Sequence, residues 1–389
     1  MTTKTSKRKV LVLASTFPRW KNDTNPPFVY DLSKGLAEKM DVTVLAPHYP
    51  GAKDSEQMGK LKVHRFHYFF ERFEKLAGNG GMLPTLKANK WYYLTVPFFM
   101  LAEIYTTLKL VKKIKPDVIH AHWILPQGLA ALTNKIINKT PYVITSHGSD
   151  LHSLGFIYLK TVILRNAKHI TVVSEYLKNI VETLDKSLIS RTDVIPMGVD
   201  SKLFNPDKYD EKLKKQYGIS GPFLLFVGRL VPEKGIVQLI NAMSTVISTN
   251  PNAKLIIVGS GTIENQLVEL VTKLRLQRHI IFTGEIPHNS LPKYFATADI
   301  FVSPSNNEGF GLTLLESLIS NTFTIGVQKE QSDHRLPLDI FLKSTTKENT
   351  AKAINIGILN FHTIDLVKRK ELRKYCNTND KYSLIISSN

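Results

Sequence analysis

The sequence predicts an α/β protein of two domains, each built from repeated βα units around a parallel sheet. Short β-branched apolar runs alternate with longer amphipathic stretches along the 389 residues. The pattern is interrupted at 196–212, which is rich in Pro, Gly, Asp and Lys and reads as a linker, and then starts again. A chain of this length that is 43% hydrophobic is long enough for two full cores. We therefore expect a domain boundary near residue 200.

Each half contains a series of predicted strands. Those of the first half are KVLVLAS, DVTVLAP, LKVHRF, PDVIHAHW, PYVITSHG, HITVVS and TDVIPMG, and those of the second are GPFLLFVGRL, NAKLIIVGS, HIIFTGE, ADIFVSPS and NTFTIGV. Helices are predicted near 235–248, 262–275 and 311–319. Open parallel sheets bind ligands beyond the carboxyl ends of their strands, so chemistry-bearing residues should directly follow strands.

The composition narrows the functional classes. A formal charge of +18 predicts attraction to a nucleic acid, a nucleotide substrate or an acidic membrane surface. The lysines and arginines are scattered, without zinc-finger spacing or an aromatic RNA-binding signature, so no nucleic-acid partner is expected. A single cysteine, Cys376, excludes an intramolecular disulfide and any multi-cysteine metal site, and it is typical of the cytoplasm. The apolar stretch near the N-terminus is too short for a signal peptide.

The most apolar later segment, 92–111, contains Pro97, Glu103 and Lys109 and therefore predicts a packed helix rather than a membrane span. Aromatic residues and lysines at 86–100 allow two interpretations. We expect the aromatic residues to pack inside the first domain; the alternative is shallow, peripheral contact with anionic lipid at the cytoplasmic membrane face. The residues concerned are Trp91, Tyr92, Tyr93, Phe98 and Phe99.

Two loops of the second half have the residues of an anion site. In FVGRLVPEKGI, Gly228 ends a strand without a side chain, and Arg229 and Lys234 precede a helix whose N-terminal amides attract anions. Both cations are equally compatible with a solvated surface. In IVGSGT, Gly259 lies in a glycine turn that lacks the third glycine of a dinucleotide fingerprint and the lysine of a P-loop. A glycine turn that merely joins strand to helix is the favoured interpretation there, and an anion contact is the alternative.

The segment NEGFGLTLLES, at 307–317, contains Glu308 and Glu316 on either side of two glycines. On one helix these acids would be roughly 12 Å apart along the axis and about 80° apart around it, so they cannot act on one bond together. Gly311 and the amides that follow it can receive phosphate, and Glu316 lies about a turn and a half further, where it can accept hydrogen bonds from ribose hydroxyls. The alternatives are a helix-surface role for Glu316 and a helix-dipole role for Glu308.

The sequence contains no Asp-x-Asp pair, and we find no His, Asp or Glu cluster with metal-ligand spacing. A bound anion would have to be neutralised by Arg229, Lys234 and helix amides. We therefore expect no metal ligands and a reaction that is independent of a metal.

In this order and spacing, the motifs resemble those of the large retaining glycosyltransferase family 4, also called glycosyl transferases group 1. They are FVGRLVPEKGI, IIVGSG, FTGEI, ADIFVSPSNNEGFGLTLLES and VIPMGVDSKLFNP, with STFPRWKNDTNPPFVYDLSKGLAEKMDVTVLAP, DVIHAHWILPQGLA and PYVITSHGSDL in the first half. The resemblance covers residues 10–325. It implies a GT-B architecture, with two Rossmann-like doubly wound domains, 1–200 and 201–365, facing a central cleft. The second domain would hold a nucleotide-diphosphate sugar as donor substrate, without a cofactor, and the first the acceptor.

The resemblance also implies roles for individual residues. Arg229 and Lys234 would contact the donor diphosphate, Glu308 the transferred sugar and Glu316 the ribose. Backbone amides of Phe310, Gly311 and Leu312 would complete the donor contacts, beside the glycines of the two preceding loops. From the first domain, His147, His122 and Asp150 would lie near the sugar or the acceptor. The reaction implied is transfer with retention, in which the acceptor hydroxyl attacks from the face that the diphosphate leaves.

Members of the family often build surface polysaccharides or glycolipids on lipid-linked acceptors, which favours a cytoplasmic or peripheral enzyme here. A glycine and a proline that usually follow the ribose-binding glutamate are replaced by Asn321 and Phe323, and we expect Asn321 to keep the left-handed turn. The tail, 366–389, is expected to pack back on the first domain. Alternative functions are a GT-B epimerase or phosphorylase, and a non-catalytic nucleotide-sugar or nucleic-acid binder.

Overall fold

The computed structural model describes residues 7–21, 23, 27–77, 81–152, 155–305, 311–327, 336–375 and 379–387. The chain forms two compact units. The first unit comprises Met1–Met197 with Thr378–Asn389, and the second comprises Gly198–Asn377. The division thus falls close to residue 200, and the segment predicted as a tail is shared between the units.

The first unit is built on an eight-stranded sheet. Its strands are β1 (Lys9–Leu13), β2 (Asp41–Pro47), β3 (Ser55–Met58), β4 (Leu61–Phe66), β5 (Val118–His122), β6 (Tyr142–Ser146), β7 (His169–Val172) and β8 (Thr192–Val194). They lie in the order β3-β4-β2-β1-β5-β6-β7-β8, all parallel except the β3 edge strand. Strand order reverses between β1 and β5, which makes the sheet doubly wound. The helices are α1 (Phe28–Leu36), α2 (Met82–Ala88), α3 (Val96–Ile114), α4 (Leu129–Asn138), α5 (Ser149–His152), α6 (Ile157–Asn166) and α7 (Glu175–Leu184), with α15 (Asn379–Ser387) from the end of the chain.

The second unit repeats this architecture on six parallel strands. They are β9 (Phe223–Val227), β10 (Lys254–Val258), β11 (Ile280–Gly284), β12 (Ile300–Ser303), β13 (Phe323–Gly326) and β14 (Ile340–Phe341), in the order β11-β10-β9-β12-β13-β14. The helices are α8 (Glu211–Gln216), α9 (Ile236–Thr249), α10 (Glu264–Lys273), α11 (Leu291–Thr297), α12 (Leu312–Ile319), α13 (Lys347–Asn360) and α14 (Leu366–Tyr375). Here the order reverses between β9 and β12. Apolar residues of β9, β10 and β12 are buried on both faces, as parallel strands between helices require.

The predicted α/β class is confirmed, and every predicted strand and helix is present. Two short strands, β3 and β14, were not predicted. The predicted linker is structured in part, because Phe204 is buried in the second unit against Phe295 and His288. The C-terminal helix α15 belongs to the first unit, where Tyr382 and Ile386 are buried in the core beside α1.

The aromatic residues before and within α3 correct one prediction. Phe99 is buried as expected, but Trp91 is 76% exposed, Tyr93 58% and Phe98 52%. The helical stretch Lys90–Ile114 is long and apolar enough to span a membrane by length and composition, and 33% of its apolar window is buried. Its buried face contains Glu103, which accepts a hydrogen bond from Gln127. Burial raises the pKa of the Glu103 carboxyl group to about 8. The helix is therefore packed along one side only, and composition could not distinguish its two faces.

Candidate active site

In the second unit, the predicted donor-binding loops converge at one edge of the sheet. The loops after β9, β10 and β12 leave the carboxyl ends of adjacent parallel strands, and those after β9 and β12 flank the point where strand order reverses. This is the position at which open α/β sheets bind ligands. Backbone hydrogen bonds tie the first two loops together: Gly228 N–H donates to Val258 and Leu230 N–H donates to Ser260.

Glycines make these loops possible. Gly259 has φ +130°, and a Cβ at that position would overlap the carbonyl oxygen of Gly228. Gly235 has φ +68°, and a Cβ there would overlap the carbonyl oxygen of Pro304 in the loop after β12. Both positions combine a left-handed backbone with a close approach of two loops, which only glycine allows. The glycine turn at Gly259 is thus required by packing as well as by the change from strand to helix.

The two predicted cations lie on the loop after β9. Arg229 is exposed, directly after Gly228, and Lys234 is half-buried at the end of a 3-10 turn, Pro232–Lys234. Gly235 then begins α9 in a left-handed conformation. The open amides at the start of α9 and the two side chains are in the same loop, which is the arrangement expected of an anion site.

The loop after β12 ends at Gly311, which has φ +76° and is the N-cap of α12. The first helical amide is that of Leu312. Glu316, one helical turn further, is 6% exposed, so the helix-surface alternative is wrong for this residue. His288 Nε2 lies 3.1 Å from Glu316 Oε1, and the His288 ring packs on Phe204. Sequence reasoning missed His288, which precedes Glu316 by 28 residues and reaches it only through the fold.

Glu308 and Phe310 lie outside the described residues. Their predicted contacts with the transferred sugar and the donor stay predictions. Beyond α12, Asn321 has φ +63°, so the expected left-handed turn is confirmed at the position of the family's usual glycine. Phe323 begins β13 and is buried.

In the first unit, the structure brings His122 and His147 together. His122 ends β5, His147 follows β6, and the two strands are neighbours. His122 Nδ1 lies 3.0 Å from His147 Nε2, and the rings are parallel within 8°. The His147 ring also packs edge-on against Phe28 and beside Trp123.

These histidines are neutral at physiological pH. A third histidine, His120, lies on β5 with its ring 4.3 Å from that of His122. Burial lowers the pKa of His120 to about 3, and burial of the ring together with nearby His120 lowers the pKa of His147 to about 3. The pKa of His122 is held well below its usual value by burial, with contributions from His120 and His147. Such a cluster can donate or accept a hydrogen bond without carrying a charge.

The hydrogen bonds of His122 indicate where the protons lie. Within the described residues, no hydrogen-bond partner reaches its buried Nε2. A buried N–H without an acceptor is rarer in proteins than an unsatisfied acceptor. We therefore assign the bare nitrogen to Nε2 and the donor to Nδ1–H, which leaves His147 protonated on Nδ1.

Asp150 is buried, and its predicted proximity to the sugar or the acceptor stays a prediction. Its carboxylate accepts a hydrogen bond from Ile124 N–H at 2.8 Å and another from Ser146 Oγ at 2.7 Å. Lys160 Nζ donates to the Asp150 carbonyl oxygen at 2.6 Å, and burial raises the pKa of the carboxyl group. These contacts join the loop after β5 to the loop after β6. Asp150 is thus held as a positioning residue for the loops that contain His122 and His147.

The sequence matches two family descriptions: Glycosyltransferase Family 4 over residues 27–203 and Glycosyl transferases group 1 over residues 210–355. An uncharacterised glycosyltransferase of Methanocaldococcus jannaschii is 32% identical over 304 residues, which cover 73% of each chain. The chain belongs to glycosyltransferase family 4. Alpha-monoglucosyldiacylglycerol synthase of Streptococcus pneumoniae is 28% identical over 253 residues, which cover 59% of this chain and 57% of that enzyme.

Solved structures show that the family fold is GT-B. HepE from Anabaena, whose structure was determined with UDP and glucose, is 17% identical in sequence and superposes with a TM-score of 0.72. The match covers 98% of this chain and 100% of that chain. The GT-B class predicted from the motifs is therefore confirmed. At this identity the likeness concerns the fold alone.

Proposed function

We propose that this glycosyltransferase moves a sugar, with retention of anomeric configuration, from a nucleotide-diphosphate sugar to a hydroxyl group of a glycolipid or a lipid-linked oligosaccharide. The observation that carries the proposal is the arrangement of Arg229, Lys234 and Glu316 around glycine-lined helix starts at one edge of the second sheet. The two cations and the helix amides supply charge for a diphosphate, and the buried carboxylate supplies acceptors for a ribose.

The roles that we propose for these residues in the reaction follow from their charges. The diphosphate leaves with its negative charge neutralised by Arg229, Lys234 and the amides of α9 and α12, so this step needs no metal ion. In the first unit, neutral His147 offers its Nδ1–H to a sugar or acceptor hydroxyl without attracting the diphosphate. Glu308 is proposed to contact the transferred sugar.

A lipid acceptor is supported by two observations. The first is the relation to a synthase whose name describes a glucosyl diacylglycerol. The second is an exposed apolar area of the first unit, here called the aromatic surface. It consists of Phe70, Phe73, Trp91, Tyr93, Leu94, Phe98, Leu101 and Tyr105, which are between 41% and 76% exposed.

Ring contacts and helical spacing connect most of the aromatic surface. Leu94, Phe98, Leu101 and Tyr105 follow helical spacing along one side of α3 and the turn before it. The Phe69 ring contacts the rings of Phe70, Phe73 and Phe98, and so joins the loop after β4 to the helix. Exposed basic residues accompany it: Arg72, Lys75 and Lys90. Aromatic residues beside basic ones are typical of segments that lie in the membrane interface.

The donor and the reaction type are tested by incubating the full chain with a panel of nucleotide sugars and monitoring free nucleoside diphosphate, with and without diacylglycerol or polyprenyl-phosphate-sugar acceptors. Acceptor-dependent release with one donor, and an anomeric NMR signal in the product that matches the donor, are expected. An epimerase would convert the nucleotide sugar without acceptor, a phosphorylase would need inorganic phosphate, and a non-catalytic binder would release nothing. Any of these three outcomes contradicts the proposal.

Membrane contact is tested by flotation of the protein with liposomes that contain or lack anionic lipid, at moderate salt. The wild-type chain is expected to float with anionic liposomes, and a variant with Trp91→Ser, Phe98→Ser and Leu101→Ser is expected to stay behind. Ile136→Ser and Ile137→Ser, at exposed apolar positions on α4, serve as matched controls. Equal behaviour of the two variants would remove the aromatic surface from the proposal.

A further inference from the structure

A second cluster of titratable residues lies in the first unit, apart from the His122–His147 pair. His48 directly follows β2 and His67 directly follows β4, and these parallel strands are neighbours with Pro47 opposite Phe66. The two imidazole rings therefore lie side by side, with centroids 4.0 Å apart. Glu74, from the loop after β4, reaches both. Within the part of the chain that the structure describes, these three residues are the one group of His, Cys, Asp and Glu whose ligand atoms all lie within 4.8 Å of each other.

The three ligand atoms point at one another. Glu74 Oε2 is 2.6 Å from His48 Nδ1 and 2.9 Å from His67 Nδ1. The other nitrogen of each histidine faces a hydrogen-bond acceptor. His48 Nε2 lies 3.0 Å from the Ala52 carbonyl oxygen, which can only accept. His67 Nε2 lies 3.1 Å from Asp54 Oδ1, which accepts when the carboxyl group is ionised. Both Nε2 atoms must therefore carry the proton.

This assignment determines what Nδ1 can be. A neutral histidine protonated on Nε2 has a bare lone pair on Nδ1. Two lone pairs and one carboxylate oxygen then converge, and they repel one another unless a cation lies among them. The cation is either a pair of extra protons or a metal ion.

The surroundings favour a metal. Histidines that bind metals almost always donate their other N–H to a backbone carbonyl or a carboxylate, which fixes the ring and leaves the remaining nitrogen free to bind. Ala52 and Asp54 supply these two acceptors. Glu74 is held in the same way, because its second oxygen accepts from Tyr68 N–H at 2.6 Å and from Phe69 N–H at 3.1 Å. All three candidate ligands are thus oriented by contacts outside the cluster.

We propose that His48, His67 and Glu74 bind one zinc ion through His48 Nδ1, His67 Nδ1 and Glu74 Oε2. Two imidazoles and one carboxylate are a common zinc ligand set, with a fourth position open. Zinc–ligand bonds of about 2.0–2.1 Å place tetrahedral ligand atoms about 3.3 Å apart, so the carboxylate oxygen moves outward by about half an ångström to admit the ion. The side chains of His48 and Glu74 are 2% and 0% exposed, whereas that of His67 is 48% exposed and gives the ion an entry path.

The ion would hold together the ends of β2 and β4 and the loop that contains Phe70 and Phe73, part of the aromatic surface. Sequence analysis predicted no metal ligands because three ligands at 48, 67 and 74 match no motif spacing. The residues of this cluster are different from those proposed to bind the diphosphate in the second unit. The test of zinc binding does not depend on transfer activity, so it can fail while the proposed function stands, and the reverse.

The experiment uses the full chain, purified through a tag without histidines and stripped with a chelator. Zinc is then added in competition with a chromophoric chelator at neutral pH. We expect one equivalent of zinc per chain, a visible cobalt spectrum of tetrahedral type after Co²⁺ substitution, and a rise in Tm with zinc. Because His67 is half-exposed, His67→Gln should fold normally but bind zinc at least about 10²-fold more weakly.

His169→Gln is the matched control, because His169 also lies beside one carboxylate, Asp193, at 2.9 Å, but no third ligand joins this pair among the residues that the structure describes. It should bind zinc as the wild-type chain does. Absence of stoichiometric zinc binding by the wild-type chain, or equal affinity in His67→Gln, would overturn the proposal and identify the cluster as a protonated hydrogen-bond network.

Discussion

The candidate sites of the two units are built by opposite means. In the second unit, glycines bring loops and helix N-termini together, and the charge comes from Arg229 on the surface and half-buried Lys234. In the first unit, His120, His122 and His147 are packed against one another and are neutral. A diphosphate needs preorganised positive charge, whereas hydroxyl chemistry needs donors and acceptors that do not compete for the diphosphate. The site of the second unit therefore depends on the backbone conformation of its glycine loops, whereas that of the first unit depends on the burial of its histidines.

The largest effect is expected from the cations of the second unit. Arg229→Ala and Lys234→Ala should each lower the transfer rate by about 10²–10³-fold, because each removes a donor that stabilises the leaving diphosphate. Lys273→Ala and Arg278→Ala are the controls. Lys273 ends α10 and Arg278 lies just before β11, away from the carboxyl ends of the strands. The measurement is steady-state release of nucleoside diphosphate from the donor that the panel identifies. Near-wild-type rates in Arg229→Ala or Lys234→Ala would remove that residue from the diphosphate site.

The glycine loops give the next largest effect. Gly235→Ala should lower the free energy of unfolding by about 1–3 kcal/mol through overlap with the carbonyl oxygen of Pro304, in addition to the cost of a left-handed backbone. Gly284→Ala isolates that second cost, about 1–2 kcal/mol, because Gly284 has φ +69° and open space around it. Urea denaturation of both variants checks this. Equal losses would show that backbone conformation, rather than close packing of the loops, determines the requirement for glycine at 235.

Glu316→Gln probes the ribose end of the same site. Hydrogen bonds to a charged group contribute about 1.5–3 kcal/mol, so binding of the nucleoside diphosphate should weaken by about 10–150-fold. Calorimetric titration measures the affinity, and Glu269→Gln on the exposed side of α10 is the control. The loss should shrink for a nucleotide without ribose hydroxyls. An equal loss of affinity for that nucleotide would contradict a contact between Glu316 and the ribose hydroxyls.

The smallest effect concerns the neutral histidines of the first unit. His120 has a pKa of about 3 in the folded chain and about 6.5 when unfolded. Between these values the unfolded chain binds a proton that the folded chain does not. The contribution of His120 to the free energy of unfolding is therefore full above about pH 6.5 and decreases by about 1.4 kcal/mol for each unit by which the pH is lowered below that value. His120→Asn should reduce the slope between pH 6 and pH 5 by that amount. Unfolding measured at pH 8 reports its packing cost alone, and an unchanged slope would show that His120 titrates normally.

Most of the fold could be predicted because its strands are short apolar runs that stay buried on both faces. β3 could not, because SEQM has no apolar pattern and pairs only at the sheet edge. The loops proposed to bind the donor could be predicted because their glycines and cations are close in sequence. His288 beside Glu316, and His48 beside His67, were not, since each pair meets only through the fold. The aromatic residues near α3 were misplaced because buried Phe99 and exposed Phe98 are chemically identical.

The helix α15 has a consequence for folding during synthesis. The first unit's core includes Tyr382 and Ile386, yet the whole second unit, Gly198–Asn377, is translated before them. At about 5–20 residues per second, the ribosome needs on the order of 10–40 s to make the second unit. For that time Tyr382 is missing from beside His120, and the nascent first unit has an apolar gap next to α1. The first unit is thus completed only after the whole second unit has been made.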